Sequence, residues 1–560
     1  MKIFLAQQNY HIGNFESNTQ KIISAIQSAK EQGGDLIVFS ELSVCGYAPR
    51  DFLEFEDFIN KSYAAIDVIK QHADTIGVLI GAPDRNPVRE GKDLFNGALL
   101  LYEKEIQAVA HKTCLPNYDV FDEYRYFEPA YEWAVMEFKG KKLAVTICED
   151  IWNLGDNPLY RNCPMDELMK QQPDIMINLS ASPFDYTHDE DRKATIKANV
   201  SKYKLPLFYC NAIGSQTEIV FDGASLVFDA AANLCGELPR FKEAIQSFIV
   251  HDDGTIDATV IEPASRMPNK ILEPTSLEEE LNIKQVHDAI VLGIKDYFSK
   301  MGFTKAILGS SGGIDSAVTL VLACTALGKE NVRAVLMPSQ FSTSHSVNDA
   351  EQLSMNLGNP YDIIPVENIY NSFLNELKPI FKDLPFSIAE ENIQSRTRGN
   401  LLMAIANKFG YILLNTSNKS ELATGYGTLY GDMAGGIGVL GDCYKLQIYA
   451  LAKYINRDAA IIPNNIITKP PSAELRPGQK DSDSLPEYEI LDKILYQYIE
   501  RRQGPNEIKV QGFDAALVDR VLKMVNINEY KRNQFCPIIR ISPKAFGVGR
   551  RMPIVGKYLS

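Results

Sequence analysis

The sequence predicts an α/β protein with two domains, a strand-rich sandwich or layered fold followed by a doubly wound parallel sheet. Its 560 residues exceed what one ordinary hydrophobic core supports. Up to about residue 235, short apolar runs such as DLIVFSEL, KLAVTICED and PDIMINLS alternate with helical stretches. A second series runs from TKAILGSSGG through RAVLMPSQ to YILLNTS, and a helix-length segment separates its members. That spacing is typical of parallel strands joined by crossover helices.

A polar, irregular stretch separates the two series. It includes HDDGTIDAT and PASRMPNKILEPTSLEEE. We therefore expect a first domain over residues 1–240, a connecting segment over 241–280 and a second domain over 281–560.

Composition excludes several classes of protein. Hydrophobic residues make up 45% and charged residues 23%, as in soluble globular chains. The nine cysteines are an odd number without a CxxC pair, which favours free thiols in a reducing cytoplasm. A net charge of −14 argues against a general nucleic-acid or membrane surface, and no run of 18 apolar residues occurs. We expect small-molecule partners.

A Gly/Ser turn joins an apolar strand to an apolar helix in AILGSSGGIDSAVTLVLA. Glycines let backbone N–H groups approach a phosphate, and the helix N-terminus adds a favourable dipole. The turn lacks the Lys of a Walker loop, so ordinary γ-phosphate transfer is not expected. Asp315 beside a phosphate would repel it unless a cation lay between them, which points to Mg2+. A lone turn of this kind could instead be structural, with Asp315 as a helix cap.

The string SGGIDS resembles the pyrophosphate loop of the ATP pyrophosphatase superfamily. Its members cleave ATP between the α and β phosphates and adenylate a carbonyl or carboxyl oxygen. The resemblance implies ATP contacts along the whole loop, which comprises Gly309, Ser310, Ser311, Gly312, Gly313, Ile314, Asp315 and Ser316.

Residues 391–436, ENIQSRTRGN through LYGDMAGG, resemble the signature of NAD+ synthetases. This resemblance implies that Thr416 contacts ATP and that Glu421 joins Asp315 in binding Mg2+. It also implies contacts with the deamido-dinucleotide by Asn392, Arg396, Glu421 and Asp432. Two carboxylates suit one hard cation, and the guanidinium groups of Arg396 and Arg398 suit phosphate or carboxylate. Both arginines could otherwise lie on a solvated helix face.

Three later residues occupy positions that the same family uses. Lys445 and Ser472 would face ATP, and Lys531 would face the dinucleotide. The segment 468–486 is rich in Pro, Gly and charge, which favours a lid over this site, with an ordinary surface loop as the alternative.

In the first half, Cys148 ends an apolar strand in KLAVTICEDIW. A buried Cys is usually a packing residue. Glu41 and Lys112 also lie at strand ends, so the three side chains could converge. A Lys would then lower the pKa of the thiol, and a Glu would accept its proton.

The segments around these residues resemble the nitrilase superfamily, whose amidases have an αββα sandwich and a Glu-Lys-Cys triad. The resemblance makes Cys148 the nucleophile towards glutamine, Glu41 the general base and acid, and Lys112 the oxyanion-stabilising cation. It also implies glutamine contacts by Tyr118 and Ser182. A basic residue often stands six positions after that serine, where this chain has His188, with Arg192 or Lys193 as substitutes for binding the α-carboxylate.

The fusion of these two halves resembles the glutamine-dependent NAD+ synthetases. It implies hydrolysis of L-glutamine to glutamate and ammonia, and amidation of deamido-NAD+ through an acyl-adenylate, with ATP as co-substrate, Mg2+ as cofactor and AMP and pyrophosphate as products. The resemblance further suggests a homodimer through the second half, or a larger homo-oligomer. Two alternatives remain: another glutamine-dependent amidotransferase of the superfamily, and an amidase with a nucleotide-sensing domain.

Overall fold

The computed structural model describes residues 1–154, 158–257 and 280–559, with residues 280 and 281 as backbone only. The chain forms two compact units. The first comprises Met1–Phe184 and the described residues from His188 to 257. The second comprises the described residues from 280 onward and the short segment Asp185–Thr187. Among the described residues, none of the helices is both long and apolar enough to cross a membrane.

The first unit is built from strands β1 to β14 and helices α1 to α4. In chain order, the strands are Lys2–Gln7, Leu36–Val38, Gly77–Arg85, Leu94–Tyr102, Glu105–His111, Met136–Phe138, Lys141–Ile147, Ile175–Ser180, Leu207–Asn211, Ile213–Gln216, Ile219–Asp222, Leu226–Phe228, Leu234–Glu237 and Ala244–Ile249. The helices are Phe15–Glu31, Glu56–Lys70, Pro164–Leu168 and His188–Tyr203.

Two six-stranded sheets form the centre of this unit. One has the order β14-β1-β2-β3-β4-β5 and the other β13-β12-β9-β8-β7-β6, while β10 and β11 form a separate hairpin. The alternation of side chains along a strand explains the layers. In β1, Ile3 and Leu5 face a core shared by the two sheets, whereas Phe4 and Ala6 pack against α1 and α2. Helices α3 and α4 cover the second sheet, so the predicted αββα sandwich is confirmed.

The first unit extends into the segment expected to connect the domains. Within residues 241–280, β14 (Ala244–Ile249) pairs antiparallel with β1 and supplies an edge of the first sheet. Only Phe248 of its six residues is fully buried, and Gln246 and Ser247 interrupt its apolar residues, which is why composition suggested a linker. The later part of the expected segment, residues 258–279, lies outside the described residues.

The second unit contains strands β15 to β19 and helices α5 to α16. The strands are Ala306–Gly309, Val332–Leu336, Tyr361–Ile363, Ile412–Asn415 and Ile437–Gly438. The helices are Glu280–Met301, Ile314–Leu327, Ser344–Leu357, Glu367–Phe381, Ile388–Phe409, Lys419–Thr424, Lys445–Ile455, Asn464–Thr468, Tyr488–Ile499, Pro505–Lys509, Ala515–Ile527 and Glu529–Arg532.

The sheet of this unit is parallel throughout, with the order β17-β16-β15-β18-β19. The predicted doubly wound fold is therefore confirmed. Strand order reverses between β15 and β18, and ligands of such sheets bind outside the carboxyl ends of the strands at that point. Strand β15 ends at Gly309, where the Gly/Ser turn begins, and β18 ends at Asn415, next to Thr416.

Candidate active sites

Cys148 lies in a tight turn at the carboxyl end of β7. Its backbone has a φ of 43°, in the left-handed region that non-glycine residues rarely adopt. A short 3-10 turn, Cys148–Ile151, follows the strand directly. The side chain is 5% exposed, so a substrate that reaches it leaves bulk water.

Lys112 and Glu41 meet in the interior of the same unit, although 71 residues separate them. The Lys112 Nζ atom donates a hydrogen bond to Glu41 Oε1 at 2.7 Å, and neither side chain is exposed. Glu41 is held in place because it also accepts hydrogen bonds from Asn96 Nδ2 at 2.7 Å and from the backbone N of Ala181 at 3.0 Å. Both charges act electrostatically on Cys148, so the three predicted residues share one site.

Sequence reasoning missed a second glutamate, Glu123. It lies in the short 3-10 turn Glu123–Arg125, and its carboxylate is 2.8 Å from Lys112 Nζ. The hydroxyl of Tyr47 donates a second hydrogen bond to Glu123 at 2.8 Å. The signal was present in DVFDEYRYF, but several acidic residues crowd that segment and nothing local distinguishes this one.

The electrostatics of the site favour a neutral thiol beside a charged lysine. Burial raises the pKa of Cys148 well above its usual value, and the charge of Glu41 adds to that effect. Lys112 lowers the pKa, as the sequence predicted, but burial outweighs it. Although burial would lower the pKa of Lys112, the charges of Glu123 and Glu41 raise it well above normal. To act as a nucleophile, a thiol in these surroundings would need a base.

The residues expected to contact glutamine contact one another and the segment that follows Cys148. The hydroxyl of Tyr118 donates to Glu149 Oε1 at 2.9 Å. Ser182 Oγ lies 2.9 Å from His188 Nε2, and the imidazole stacks on Trp152 with ring centroids 4.9 Å apart. Burial raises the pKa of Glu149, a buried carboxyl next to Cys148 in the chain that sequence reasoning did not single out.

The two substitutes suggested for α-carboxylate binding, Arg192 and Lys193, are both paired with carboxylates of the protein. Arg192 is 1% exposed and donates to both carboxylate oxygens of Asp222, at 2.9 and 3.2 Å. Lys193 lies 2.9 Å from Glu237 Oε2. Both side chains are committed to ion pairs of the fold, Arg192 with Asp222 on β11 and Lys193 with Glu237 on β13.

A cavity of about 300 Å³ opens at the switch point of the second unit. Seven of the eight predicted loop residues line it, which are Gly309, Ser310, Ser311, Gly313, Ile314, Asp315 and Ser316. Gly312 is the exception. It has a φ of 78°, and a Cβ atom there would lie 2.2 Å from the backbone oxygen of Ser346, so this position of the turn requires glycine.

Asp315, Glu421 and Lys445 form a charged cluster at one wall of the cavity. Lys445 Nζ lies 2.6 Å from Asp315 Oδ2 and 3.9 Å from Glu421 Oε1. Asn418 orients both carboxylates, since its side chain donates to Asp315 at 2.9 Å and its backbone N donates to Glu421 at 3.2 Å. Burial and the charge of Asp315 raise the pKa of Glu421 well above normal.

The predicted lid lies along the same cavity. Ser472 lines it together with Lys469, Glu474 and Asp481, and Thr416 lines it from the end of β18. Glu474 accepts hydrogen bonds from the hydroxyls of Thr343, at 3.1 Å, and Ser346, at 2.6 Å, at the start of α7.

The four other residues expected to contact the dinucleotide divide into two groups. Asp432 lines the cavity, and burial raises its pKa. Asn392 accepts a hydrogen bond from Thr428 Oγ1 at 2.7 Å, and Lys531 Nζ donates to the backbone oxygens of Gly425 and Gly427 at 2.8 and 2.9 Å. Arg396 is exposed and does not line the cavity.

Arg398, on the same helix as Arg396, does line the cavity. Its Nε atom donates to the backbone oxygen of Met337 at 3.0 Å, and burial lowers its pKa. Among the described residues, no carboxylate forms an ion pair with it, which leaves a guanidinium group suited to an anionic ligand.

Comparison with known proteins identifies relatives of each half of the chain. A carbon-nitrogen hydrolase family model matches residues 2–252, and an NAD synthase family model matches residues 286–535. A glutamine-dependent NAD(+) synthetase from Synechocystis is 41% identical over 99% of this chain and 98% of its own. The chain belongs to the glutamine-dependent NAD+ synthetase family. Another member, from Thermotoga maritima, is 40% identical over 100% of this chain and 99% of its own.

A solved structure supports the assignment to the glutamine-dependent NAD+ synthetase family. The enzyme from Acinetobacter baumannii, in complex with adenosine diphosphate, is 37% identical and has a TM-score of 0.77. The match covers 99% of this chain and 98% of that one. Both halves of the chain therefore have counterparts in a single carbon-nitrogen ligase.

Proposed function

We propose that the first unit hydrolyses L-glutamine at Cys148 and that the second unit uses the ammonia to convert deamido-NAD+ to NAD+ at the expense of ATP. The observation that carries this proposal is the buried ion pair between Lys112 and Glu41 beside the thiol of Cys148. Full-length similarity to glutamine-dependent NAD+ synthetases speaks against a different amidotransferase or a sensing domain.

In the amidase reaction, Glu41 accepts the thiol proton as Cys148 Sγ attacks the side-chain amide carbon of glutamine. This order follows from the raised pKa of the thiol, which leaves little thiolate beforehand. Lys112 stabilises the negative charge that develops on the amide oxygen. Glu41 then returns the proton to the leaving nitrogen, and ammonia departs from an acyl-thioester. Water, deprotonated by Glu41, attacks the thioester and releases glutamate.

Glutamine itself would be held by Tyr118, Ser182 and His188. The stacking of His188 on Trp152 and its contact with Ser182 hold the imidazole beside the serine that the family uses for this substrate. Because Arg192 and Lys193 are committed elsewhere, His188 is the basic side chain proposed for the α-carboxylate.

In the synthetase reaction, the nicotinate carboxylate of deamido-NAD+ attacks the α-phosphate of ATP. Pyrophosphate leaves, and ammonia attacks the acyl-adenylate to give NAD+ and AMP. The loop from Gly309 to Ser316 would hold the phosphates, with Thr416, Lys445 and Ser472 also on the ATP side.

Asp315 and Glu421 fit a divalent cation. Both are oxygen donors, and the charge of Asp315 raises the pKa of Glu421, a repulsion that a cation between them would relieve. We propose that they hold Mg2+, which would neutralise charge on the phosphates when bound.

Asn392, Arg396, Glu421, Asp432 and Lys531 are proposed to contact the dinucleotide. We propose Arg398 as a further anion-binding residue, since it lines the cavity and forms no ion pair with any of the described carboxylates.

We also infer that the second unit forms a homodimer or a larger homo-oligomer. Helices α8 and α9 and the turn between them expose large apolar side chains, which are Ile369, Phe373, Ile380, Leu384, Phe386, Ile388, Met403 and Phe409. An exposed apolar surface of this kind commonly marks an interface.

The nine cysteines are all free, which supports a reducing cytoplasm as the compartment. We place the division between the two domains after residue 257, the last described residue of the first unit before the second unit begins.

NAD+ formation by the purified protein tests the proposal. Mg-ATP and deamido-NAD+ are supplied with glutamine in one reaction and with ammonium in another, and NAD+ is expected in both. ATP turnover on a different acceptor, without NAD+ in either reaction, would favour another amidotransferase.

A further inference from the structure

Asp150 holds together the two chain segments that carry Lys112 and Cys148. The carboxylate is 2% exposed and accepts hydrogen bonds from three backbone N–H groups. Oδ1 accepts from Thr113 at 3.0 Å and from Cys114 at 2.8 Å. Oδ2 accepts from Ile147 at 3.0 Å.

Two of these donors immediately follow Lys112. Strand β5 ends at His111, and the backbone N of Lys112 still bonds to the oxygen of Asn96 on β4. The next two backbone N–H groups have left the sheet, yet Thr113 and Cys114 are buried. Unpaired N–H groups in a protein interior are costly, so one carboxylate oxygen fixes the path of the chain after the lysine.

The third donor, Ile147, immediately precedes Cys148. Its bond to Asp150 closes the turn in which Cys148 takes its left-handed conformation. Strand β7 belongs to one sheet of the sandwich and β5 to the other. Asp150 therefore bridges the ends of two strands from opposing sheets, next to the nucleophile on one side and next to the lysine on the other.

We propose that Asp150 is a positioning residue that sets the placement of Cys148 relative to Lys112 in the amidase site. It does not act on the substrate, since all of its contacts with these segments are to backbone N–H groups. A displacement of about 1 Å between reacting groups can cost a hundredfold in rate. This inference rests on the proposed amidase function of the same site.

The burial of Asp150 has an energetic cost that the positioning role would explain. Burial raises its pKa to about 6, although the three N–H groups and the charge of Lys112 oppose that rise. The carboxylate is thus kept in the interior against a desolvation cost, and an ionised oxygen accepts backbone N–H bonds more strongly than an amide oxygen does.

Asp150→Asn tests the inference because it keeps the size of the side chain while replacing one acceptor by an NH2 group. At least one of the three backbone N–H groups that bond to Asp150 then faces the NH2 group, which cannot accept its hydrogen bond. We expect kcat for glutamine hydrolysis to fall about 100-fold, with the KM for glutamine changed less than about threefold. NAD+ formation from ammonium should remain within about twofold of wild type.

Asp174→Asn is the matched control. The Asp174 carboxylate accepts the backbone N–H of Lys142 at 2.8 Å, at the opposite end of β7, and the residue is exposed. Asp174→Asn makes the same chemical change at a carboxylate that accepts a backbone N–H from the same strand, and glutamine hydrolysis should stay within about twofold of wild type. Equal effects of the two substitutions, or a wild-type kcat in Asp150→Asn, would overturn the inference.

Asp150→Glu addresses the case in which the asparagine variant does not fold. It keeps the charge and both oxygens but moves them by one methylene, and the same loss of kcat is expected. A wild-type kcat in Asp150→Glu would contradict the positioning role of Asp150. A loss of folding in both variants would also contradict it, because Asp150 would then be required for the fold. The amidase proposal itself fails separately, if Cys148→Ala still hydrolyses glutamine.

Discussion

The side-chain nitrogen of Lys445 lies 2.6 Å from Oδ2 of Asp315, at the wall of a cavity bordered by the phosphate loop. Lys445 is 2% exposed, and Glu421 lies 3.9 Å from the same nitrogen. A single buried ammonium thus offsets two carboxylates. This arrangement fits the proposed cation site, with a lysine beside the phosphates that the cation would neutralise.

Asp315→Asn should reduce NAD+ formation about 100-fold or more, with either glutamine or ammonium as the nitrogen source. The loss is expected because one charged oxygen donor is removed beside the phosphates. Glutamine hydrolysis should persist. Asp362→Asn, a half-exposed carboxylate on the edge strand β17, is the control. NAD+ formation at the wild-type rate in Asp315→Asn would reject the metal role.

Glu123→Gln should lower kcat for glutamine hydrolysis by about 100-fold. The substitution removes one of the two charges that raise the pKa of Lys112 and hold its ammonium in place. The hydrogen bond from Tyr47 can persist because the amide oxygen also accepts. Steady-state hydrolysis by the variant, beside the exposed control Glu132→Gln, measures the effect. A kcat within twofold of wild type would show that Glu41 alone is sufficient to hold Lys112.

His188→Arg should lower the KM for glutamine by about tenfold. A guanidinium group forms a charged, two-pronged contact with a carboxylate, and it can also stack on Trp152 as the imidazole does. His251→Arg, on an exposed residue of the same unit, controls for added charge. An unchanged or raised KM would remove His188 from the α-carboxylate site.

Asp492 should make stability depend on pH. Burial raises its pKa to about 7, against the opposing bonds from Ser420 and Leu446. The native state therefore binds the proton more tightly than the unfolded chain, whose pKa is about 3.9. Its contribution to stability is complete below about pH 4 and is lost as the pH rises through about 7.

Between pH 5 and pH 8 the loss should be roughly 3 kcal/mol of unfolding free energy, and Asp492→Asn should lack it. The measurement is urea unfolding at several pH values. The transition to follow is the one whose midpoint changes when ATP is added, because ATP stabilises the unit that binds it. The same pH dependence in wild type and variant would contradict the raised pKa.

Local pattern was sufficient to predict most strands of the three large sheets, whereas the phosphate loop and the triad were predicted from family resemblance and stay predictions. Apolar runs marked the strands, and SGGIDS and KLAVTICEDIW carry their chemistry within a few adjacent residues. The strand Ala244–Ile249 could not be predicted in this way. Its partner β1 is more than 230 residues away, and its own side chains are mixed in polarity.

Residues that act through distant contacts were missed for the same reason. Glu123 reaches Lys112 from a turn crowded with acids, and Asp150 reaches Thr113 across 37 residues of sequence. The ion pair of Arg192 with Asp222 was not predicted because it forms only in the folded unit.

The most direct test of the account is a comparison of NAD+ formation by Cys148→Ala with glutamine and with ammonium, beside wild type and Cys163→Ala, a half-buried thiol of the same unit. We predict that Cys148→Ala loses NAD+ formation from glutamine and keeps it, within about twofold, from ammonium. Equal loss with both nitrogen sources, or retained synthesis from glutamine, would contradict the division of chemistry between the two units.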